Sequence, residues 1–158
     1  MKGSAKVIEV LNDVLEAEIL AVIQYESHHF HAEETLALKK LGEIFHEASL
    51  KEMDHMEDLS ERIHFLEGIP TTKLARKPAP LGDARAMVDA NIKLEYDAIE
   101  RLNKGIKICV QEGDNGSRAL LEEILKDEEE HADKFEDVLQ LIDNLGKHYL
   151  ATLVEKKS

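Results

Sequence analysis

The sequence contains no tryptophan, one cysteine and three prolines among its 158 residues. The single cysteine, Cys109, excludes a disulfide within the chain and favours a reducing compartment. No stretch approaches the roughly 18 apolar residues that a membrane-spanning helix needs. The first residues also lack the apolar core of a signal peptide. We therefore expect a cytoplasmic protein with no membrane partner.

Basic residues are also scarce, with 20 Lys and Arg against 33 Asp and Glu and a formal net charge of −13. Such a chain lacks the basic surface that binds nucleic acid, so we expect no nucleic-acid partner. The same charge attracts cations, although the charge alone is explained better by a solubilising acidic surface. The length predicts one domain, 1–158, that is large enough to bury a core.

Apolar residues recur in steps of three and four along four segments, which predicts an all-α fold of four long helices. The predicted helices cover residues 4–34, 36–66, 84–112 and 117–145. Asp83 and Ser117 are the expected N-caps of the third and fourth helices, and Gly146 ends the fourth. The segment 147–155 is predicted to form a short amphipathic fifth helix. Residues 68–82 contain all three prolines and form the one long connection, which is long enough to cross the whole bundle and make helices two and three parallel.

In each predicted helix the recurring apolar residues form a stripe along one face, which we call the seam. Acidic or imidazole side chains interrupt this seam near the middle of every helix. Each half of the chain carries a lone Glu and then a Glu-x-x-His pair, and on a helix the Glu and His of such a pair share one face. One such pair alone is a weak signal, usually a solvated pair, but two pairs in register with two core Glu residues are typical of ferritin-like di-metal bundles. The six residues are Glu18, Glu52, His55, Glu95, Glu128 and His131.

Buried carboxylates are unfavourable by several kcal/mol unless they are paired or metal-bound. The four seams carry no Lys or Arg, whereas two divalent cations would neutralise four carboxylates. Oxygen ligands with two imidazoles suit iron or manganese, and zinc could also bind. The simplest arrangement gives each metal its own Glu and His, with two bridging carboxylates: Glu18 with His55, Glu95 with His131, and Glu52 and Glu128 between them.

Several short segments resemble the bacterioferritin family along essentially the whole chain. They are Met1-Lys2-Gly3 with Lys6-Val7-Ile8, Gln24-Tyr25, Glu52-Met53 with His55, Arg62-Ile63 with Phe65-Leu66-Glu67-Gly68, and Ile124-Leu125 with Asp127-Glu128-Glu129 and His131. The resemblance implies a ferritin-like four-helix bundle and a hollow homo-oligomeric shell of 24 subunits. Each subunit would oxidise Fe(II) with oxygen or hydrogen peroxide at a centre of two iron ions and pass Fe(III) to a stored mineral. A ferredoxin-type protein is an expected electron donor for iron release.

The resemblance also implies roles for two further residues. Met53 would be the axial ligand of a b-type haem shared by two subunits, and Tyr25 would supply an electron during iron oxidation. Without the resemblance, Met53 reads as a packing residue on a flank of helix two, and Tyr25 as a buried tyrosine with a bonded hydroxyl. His29 falls on the first seam near a helix end and is interpreted as a packed or solvent-linked histidine rather than a ligand.

Two other functions fit a helical bundle with this centre. A peroxide-reducing di-iron protein like rubrerythrin usually adds a Cys-x-x-Cys iron module, which a single cysteine excludes, and an extra ligand Glu that has no clear place here. A non-enzymatic haem-binding or structural bundle would show no iron oxidation.

Overall fold

The computed structural model describes residues 1–155, and these residues form an all-helical structure, which confirms the predicted fold class. The four long helices are α1 (Ala5–Glu34), α2 (Lys39–Phe65), α3 (Ala84–Gln111) and α4 (Asn115–Leu145). A short helix α5 (Lys147–Leu150) and a 3₁₀ turn (Ala151–Leu153) follow, in place of one longer fifth helix.

The predicted caps are right for α3 and wrong for α4. Asp83 accepts a hydrogen bond of 2.8 Å from the backbone N–H of Ala86, as an N-cap does. At α4 the N-cap is Asp114, which accepts from the backbone N–H of Ser117 at 2.9 Å. The helix starts earlier than predicted because Gly113, with φ +70°, reverses the chain within a single residue.

The ends of α2 also differ from the prediction. The helix begins at residue 39 rather than 36, because Ala37 takes a left-handed conformation with φ +57°. Its C-terminus at Phe65 lies within one residue of the predicted end, and Glu67 takes the left-handed conformation that follows it, with φ +63°. Gly68 donates its N–H to the carbonyl of Ile63 at 2.9 Å, and a Cβ at this position would lie 2.7 Å from Ile8. Glycine is therefore needed here for close packing.

The long connection between α2 and α3 runs beside α1, in the direction of that helix. The backbone N–H groups of residues 71, 75 and 79 bond in turn to Asn12, Glu16 and Gln24. The connection therefore delivers the chain to the end of the bundle opposite to the end of α2. As a result α2 and α3 are parallel, which confirms the predicted crossover.

The buried face of α1 is wider than the predicted seam. Val7, Val14 and Ala21 are buried, whereas Ile8 and Val22, which the spacing of three and four places on the seam with Glu18, are only partly buried. The reason is that α1 packs against both α2 and α3, and a helix between two neighbours buries a broader stripe than a two-helix seam.

The hydrophobic core is divided into two clusters along the bundle axis. One contains the rings of Phe45 and Phe135, and the other contains Leu11 and Leu121. Glu18 lies on α1 between the two clusters, so a polar layer crosses the middle of the bundle.

Candidate metal centre

The six residues predicted from the seams lie together in this polar layer. Each helix supplies one or two of them from near its middle, so their relative positions depend on helix packing rather than on loops. Five have at most 3% of their surface exposed, and the side chain of the sixth is 16% exposed. We call the following set the central cluster: Glu18, Glu52, His55, Glu95, Glu128 and His131.

The central cluster divides into two overlapping groups, and the ligand atoms within each group lie within 4.8 Å of one another. We call them the His55 subsite (Glu18, Glu52, His55, Glu128) and the His131 subsite (Glu52, Glu95, Glu128, His131). Glu52 and Glu128 belong to both. This layout is the one that the sequence predicts for two metal ions with two bridging carboxylates.

In each subsite the Nδ1 atom of one imidazole faces the carboxylates. Nδ1 of His55 is 3.0 Å from Glu52 and 3.4 Å from Glu128. Nδ1 of His131 is 2.9 Å from Glu52, 3.4 Å from Glu95 and 3.5 Å from Glu128. The carboxylates and Nδ1 atoms therefore converge on common points, as the ligands of a cation do.

Several buried carboxylate oxygens have no hydrogen-bond partner among the described residues. They are both oxygens of Glu18, both of Glu128 and one of Glu95. An unpaired carboxylate in a protein interior is unfavourable by several kcal/mol. The donor set therefore fits bound cations, which would pair with these oxygens.

In the metal-free protein, burial raises the pKa of three of the carboxyl groups. Burial acts most strongly on Glu18, Glu95 and Glu128, and the charges of neighbouring carboxylates raise their pKa further. Glu52 behaves in the opposite way. Burial raises its pKa too, but contacts with Glu18 and the two imidazoles outweigh burial and leave the pKa well below the usual value.

The two imidazoles both favour the protonated form in the absence of metal. Burial lowers the pKa of His131, but hydrogen bonds to the surrounding carboxylates outweigh burial and raise it to about 12. Burial also lowers the pKa of His55, and Glu52 and Asp127 more than reverse that effect. The metal-free centre therefore holds protons where cations would bind.

Asp127 is a part of the site that the sequence analysis missed. Its carboxylate lies 2.9 Å from Nε2 of His55 and 3.5 Å from Nζ of Lys51. A carboxylate bonded to the outer nitrogen of a ligand histidine fixes the tautomer and directs the other nitrogen to the metal. The only signal in the sequence is that Asp127 directly precedes Glu128.

Tyr25 lies beside the His131 subsite. Its hydroxyl donates a hydrogen bond to Glu95, and its ring lies 5.6 Å from that of Phe135. Burial and then the charge of Glu95 raise the pKa of Tyr25, so the phenol keeps its proton. Tyr25 therefore lies next to the centre, and its role as an electron donor stays a prediction.

A surface pocket of about 200 Å³ leads to the His131 subsite. It lies between α2 and α4, and His131 forms part of its wall. Glu47 and Lys134 stand across from each other in the pocket, with 3.8 Å between their charged atoms. His131 is therefore the residue of the central cluster that solvent reaches.

Comparisons with known proteins agree with this geometry. The ferritin-like domain family matches residues 8–145. Bacterioferritin BfrA of Mycobacterium tuberculosis is 34% identical over 157 residues, covering 99% of this chain and 98% of the relative. Bacterioferritin of Rhodobacter capsulatus is 36% identical, covering 97% and 94% of the two chains. That of Brucella melitensis is 37% identical, covering 93% and 91%.

The chain belongs to the bacterioferritin family. Each of these relatives is matched over more than nine-tenths of its own length, so the similarity includes all four long helices. Among residues 1–155, no helix combines the length and apolar character needed to cross a membrane.

Met53 lies outside the central cluster, on a flank of α2. It is 42% exposed, and the apolar side chains of Leu50 and Ile23 are exposed to a similar extent. Ser49 is buried and donates to the carbonyl of Val22 at 3.4 Å, which aligns this part of α2 with α1. The flank therefore presents a thioether within an apolar surface.

Proposed function

We propose that this protein stores iron, by oxidising Fe(II) at the central cluster and depositing Fe(III) as a mineral inside a hollow homo-oligomeric shell. One observation supports this proposal most strongly: two buried donor sets share Glu52 and Glu128, and several of their oxygens lack a partner among the described residues. Membership of the bacterioferritin family supports it independently.

Fe(II) is the substrate of the proposed reaction. Four carboxylates supply four negative charges, which balance two Fe(II) ions, and two imidazoles complete a set of ligands that suits iron. Glu18 and His55 would hold one ion. The His131 subsite would hold the second, and both ions would share Glu52 and Glu128.

Proton release accompanies the binding of Fe(II). The carboxyl groups with a raised pKa and both imidazoles hold protons in the metal-free protein, and a ligand must lose its proton to bind a cation. Asp127 keeps the proton of His55 on Nε2, so that Nδ1 faces the substrate.

Tyr25 is the proposed one-electron donor of the protein. The electron would pass from the phenol to the oxidising centre, and the phenolic proton would move along the existing hydrogen bond to Glu95.

A shell of 24 subunits with haem between pairs of subunits completes the proposal. The thioether of Met53 and the exposed apolar side chains around it fit a flat apolar group such as haem b. Two copies of Met53, one from each subunit of a pair, would hold the haem. Replacing Met53 by Leu should then remove haem absorption and leave iron oxidation unchanged.

The initial rate of Fe(II) oxidation by oxygen tests the proposed centre. Glu18→Ala and His131→Ala should each abolish rapid oxidation, because each removes a ligand from one of two ions that must react together. Glu130→Ala, an exposed glutamate on the same helix as His131, should keep the wild-type rate. Wild-type rates in both ligand variants would reject the assignment.

Size-exclusion chromatography of the same proteins tests the shell. The wild type and all three variants should elute far above the 17.9 kDa of one chain. Elution as a monomer would reject the storage function even if oxidation is observed.

A further inference from the structure

A second group of metal-ligating side chains lies outside the central cluster, between α1 and α2. We call it the flank cluster, and it consists of Glu26, His29 and His46. One ligand atom from each residue can be chosen so that all three atoms lie within 4.8 Å of one another. None of these residues belongs to either central subsite.

The packing of α1 against α2 determines this cluster. Glu26 and His29 are three residues apart on α1 and share one face of that helix. His46 faces them from α2, with Nδ1 2.6 Å from Oε1 of Glu26 and its ring centroid 4.8 Å from that of His29. Gly42 permits the close approach of the helices, because a Cβ there would lie 2.9 Å from the carbonyl oxygen of His29 and would also collide with Glu33.

A backbone carbonyl fixes the tautomer of His29. Nδ1 lies 2.8 Å from the carbonyl oxygen of Gly42, which only accepts hydrogen bonds, so Nδ1 carries a proton. Metal-binding histidines commonly donate one ring N–H to a carbonyl in this way and bind with the other nitrogen. Nε2 of His29, the nitrogen that remains for a metal ion, lies 3.2 Å from a carboxylate oxygen of Glu33.

Charge and accessibility also favour a cation. Two imidazoles and the carboxylate of Glu26 form a donor set that suits Fe(II) and Zn(II), and Glu33 adds a second negative charge nearby. The ring of His29 is largely buried, whereas the side chains of His46 and Glu26 are 41% and 29% exposed. An ion can therefore reach ligands that the protein already holds in place.

We propose that Glu26, His29 and His46 bind one divalent transition-metal ion of the Fe(II) or Zn(II) class. The site is separate from the central cluster and does not depend on the proposed oxidation of iron. His29, which the sequence analysis interpreted as a packed histidine, becomes a ligand in this proposal.

Zn(II) is a suitable probe because it undergoes no redox reaction. The assembled protein, first stripped of metal with a chelator, should bind three Zn(II) ions per chain: two in the central cluster and one in the flank cluster. Glu26→Gln and His46→Ala should each bind one ion fewer. The matched control is His64→Ala, which removes an exposed histidine of the same helix and should still bind three.

Crystals soaked in Zn(II) locate the ions by anomalous scattering. The proposal requires a peak about 2.0–2.2 Å from a nitrogen of His29 and a nitrogen of His46. A peak in the central cluster with none in the flank cluster would overturn this proposal, and so would an unchanged stoichiometry in Glu26→Gln. In that case Glu26 and His46 form a hydrogen-bonded surface pair only. Glu18→Ala should lose the zinc ion of the His55 subsite and keep the flank peak, so failure at one site is distinguishable from failure at the other.

Discussion

The two halves of the central cluster have the same ligand types but different surroundings. In the His55 subsite the imidazole is 3% exposed and its outer nitrogen is bonded to Asp127. In the His131 subsite the imidazole is 16% exposed and forms part of the wall of a surface pocket. The two histidines hold equivalent positions in the two halves of the chain, but only His55 has a carboxylate on its outer nitrogen among the described residues. His131, whose outer nitrogen has no such partner there, is the histidine that faces solvent.

This difference suggests a division of labour within the centre. A bonded, enclosed imidazole holds its metal in a defined geometry, because the carboxylate fixes the tautomer and orientation of the ring. A metal ion bound to an imidazole in the wall of a pocket exchanges with solvent more readily. We therefore expect the His131 subsite to be the side on which Fe(II) arrives, and the His55 subsite to bind more tightly.

Removal of a shared carboxylate should produce the largest effect, because it damages both subsites. We expect Glu128→Ala to lower the initial rate of Fe(II) oxidation by more than the roughly 10- to 100-fold that loss of a residue supporting a metal ligand costs, because Glu128 is itself a ligand. Zn(II) anomalous scattering should show both central ions missing. Glu18→Ala should instead keep an ion in the His131 subsite. An ion at full occupancy in either subsite of Glu128→Ala would contradict the shared role.

The pH dependence of the metal-free protein should distinguish Glu18 from Glu95. Both have a pKa above the unfolded value of 4.5, and that of Glu18 is raised further. A raised pKa stabilises the fold below about pH 4.5, and this stabilisation is lost as the pH rises through the folded-state pKa. The melting temperature measured with a chelator should therefore fall as the pH rises above about 4.5.

Replacing the carboxyl group of Glu18 or Glu95 by a neutral amide should reduce this fall in melting temperature. Glu18→Gln should reduce it more than Glu95→Gln, because Glu18 has the larger shift. The imidazole of His131 keeps its proton up to a pKa of about 12, whereas the unfolded chain loses that proton above about pH 6.5, so this group adds a fall above pH 6.5 that the wild type and Glu18→Gln should share. Equal slopes in the wild type and Glu18→Gln would show that Glu18 does not hold a proton in the folded protein.

Asp127→Asn should weaken one subsite selectively. Loss of the charged partner of His55 should lower the Zn(II) affinity of the His55 subsite about 10-fold and leave the His131 subsite unchanged. Calorimetric titration should show this as a change in one of two central binding phases. Asp133→Asn, an exposed aspartate on the same helix, is the control. Equal weakening of both phases would indicate a general loss of structure.

Lys134→Ala should have the smallest effect. Its pairing with Glu47 is exposed and adds at most about 1 kcal/mol, so the melting temperature should change little. Loss of a positive charge beside the pocket should raise the initial oxidation rate by less than about 10-fold at low salt, and high salt should remove the difference. The control is Lys126→Ala, which removes an exposed lysine of α4 outside this pocket and should leave the oxidation rate unchanged. If Lys126→Ala raises the rate as much as Lys134→Ala does, the pocket is not the route of Fe(II).

The sequence by itself predicted the four helices, the crossover and the residues that meet in the central cluster. The physical reason is that a helix repeats every 3.6 residues, so an acid such as Glu18 in an apolar seam is recognisable from its nearest neighbours. The α3 cap at Asp83 was predictable for the same reason, since a cap bonds to its own first turn.

Other features depended on which turns of two helices meet. Asp127 reaches His55 only because α4 and α2 pack in one register, and nothing local to either residue indicates that contact. The same is true of the flank cluster, where Gly42 lets α1 and α2 approach closely enough to bring His46 to Glu26. The sequence by itself thus determined which residues face the interior, because that depends on local periodicity. Only the tertiary structure decided which of them touch, because contacts between helices depend on the packing of side chains that are distant in sequence.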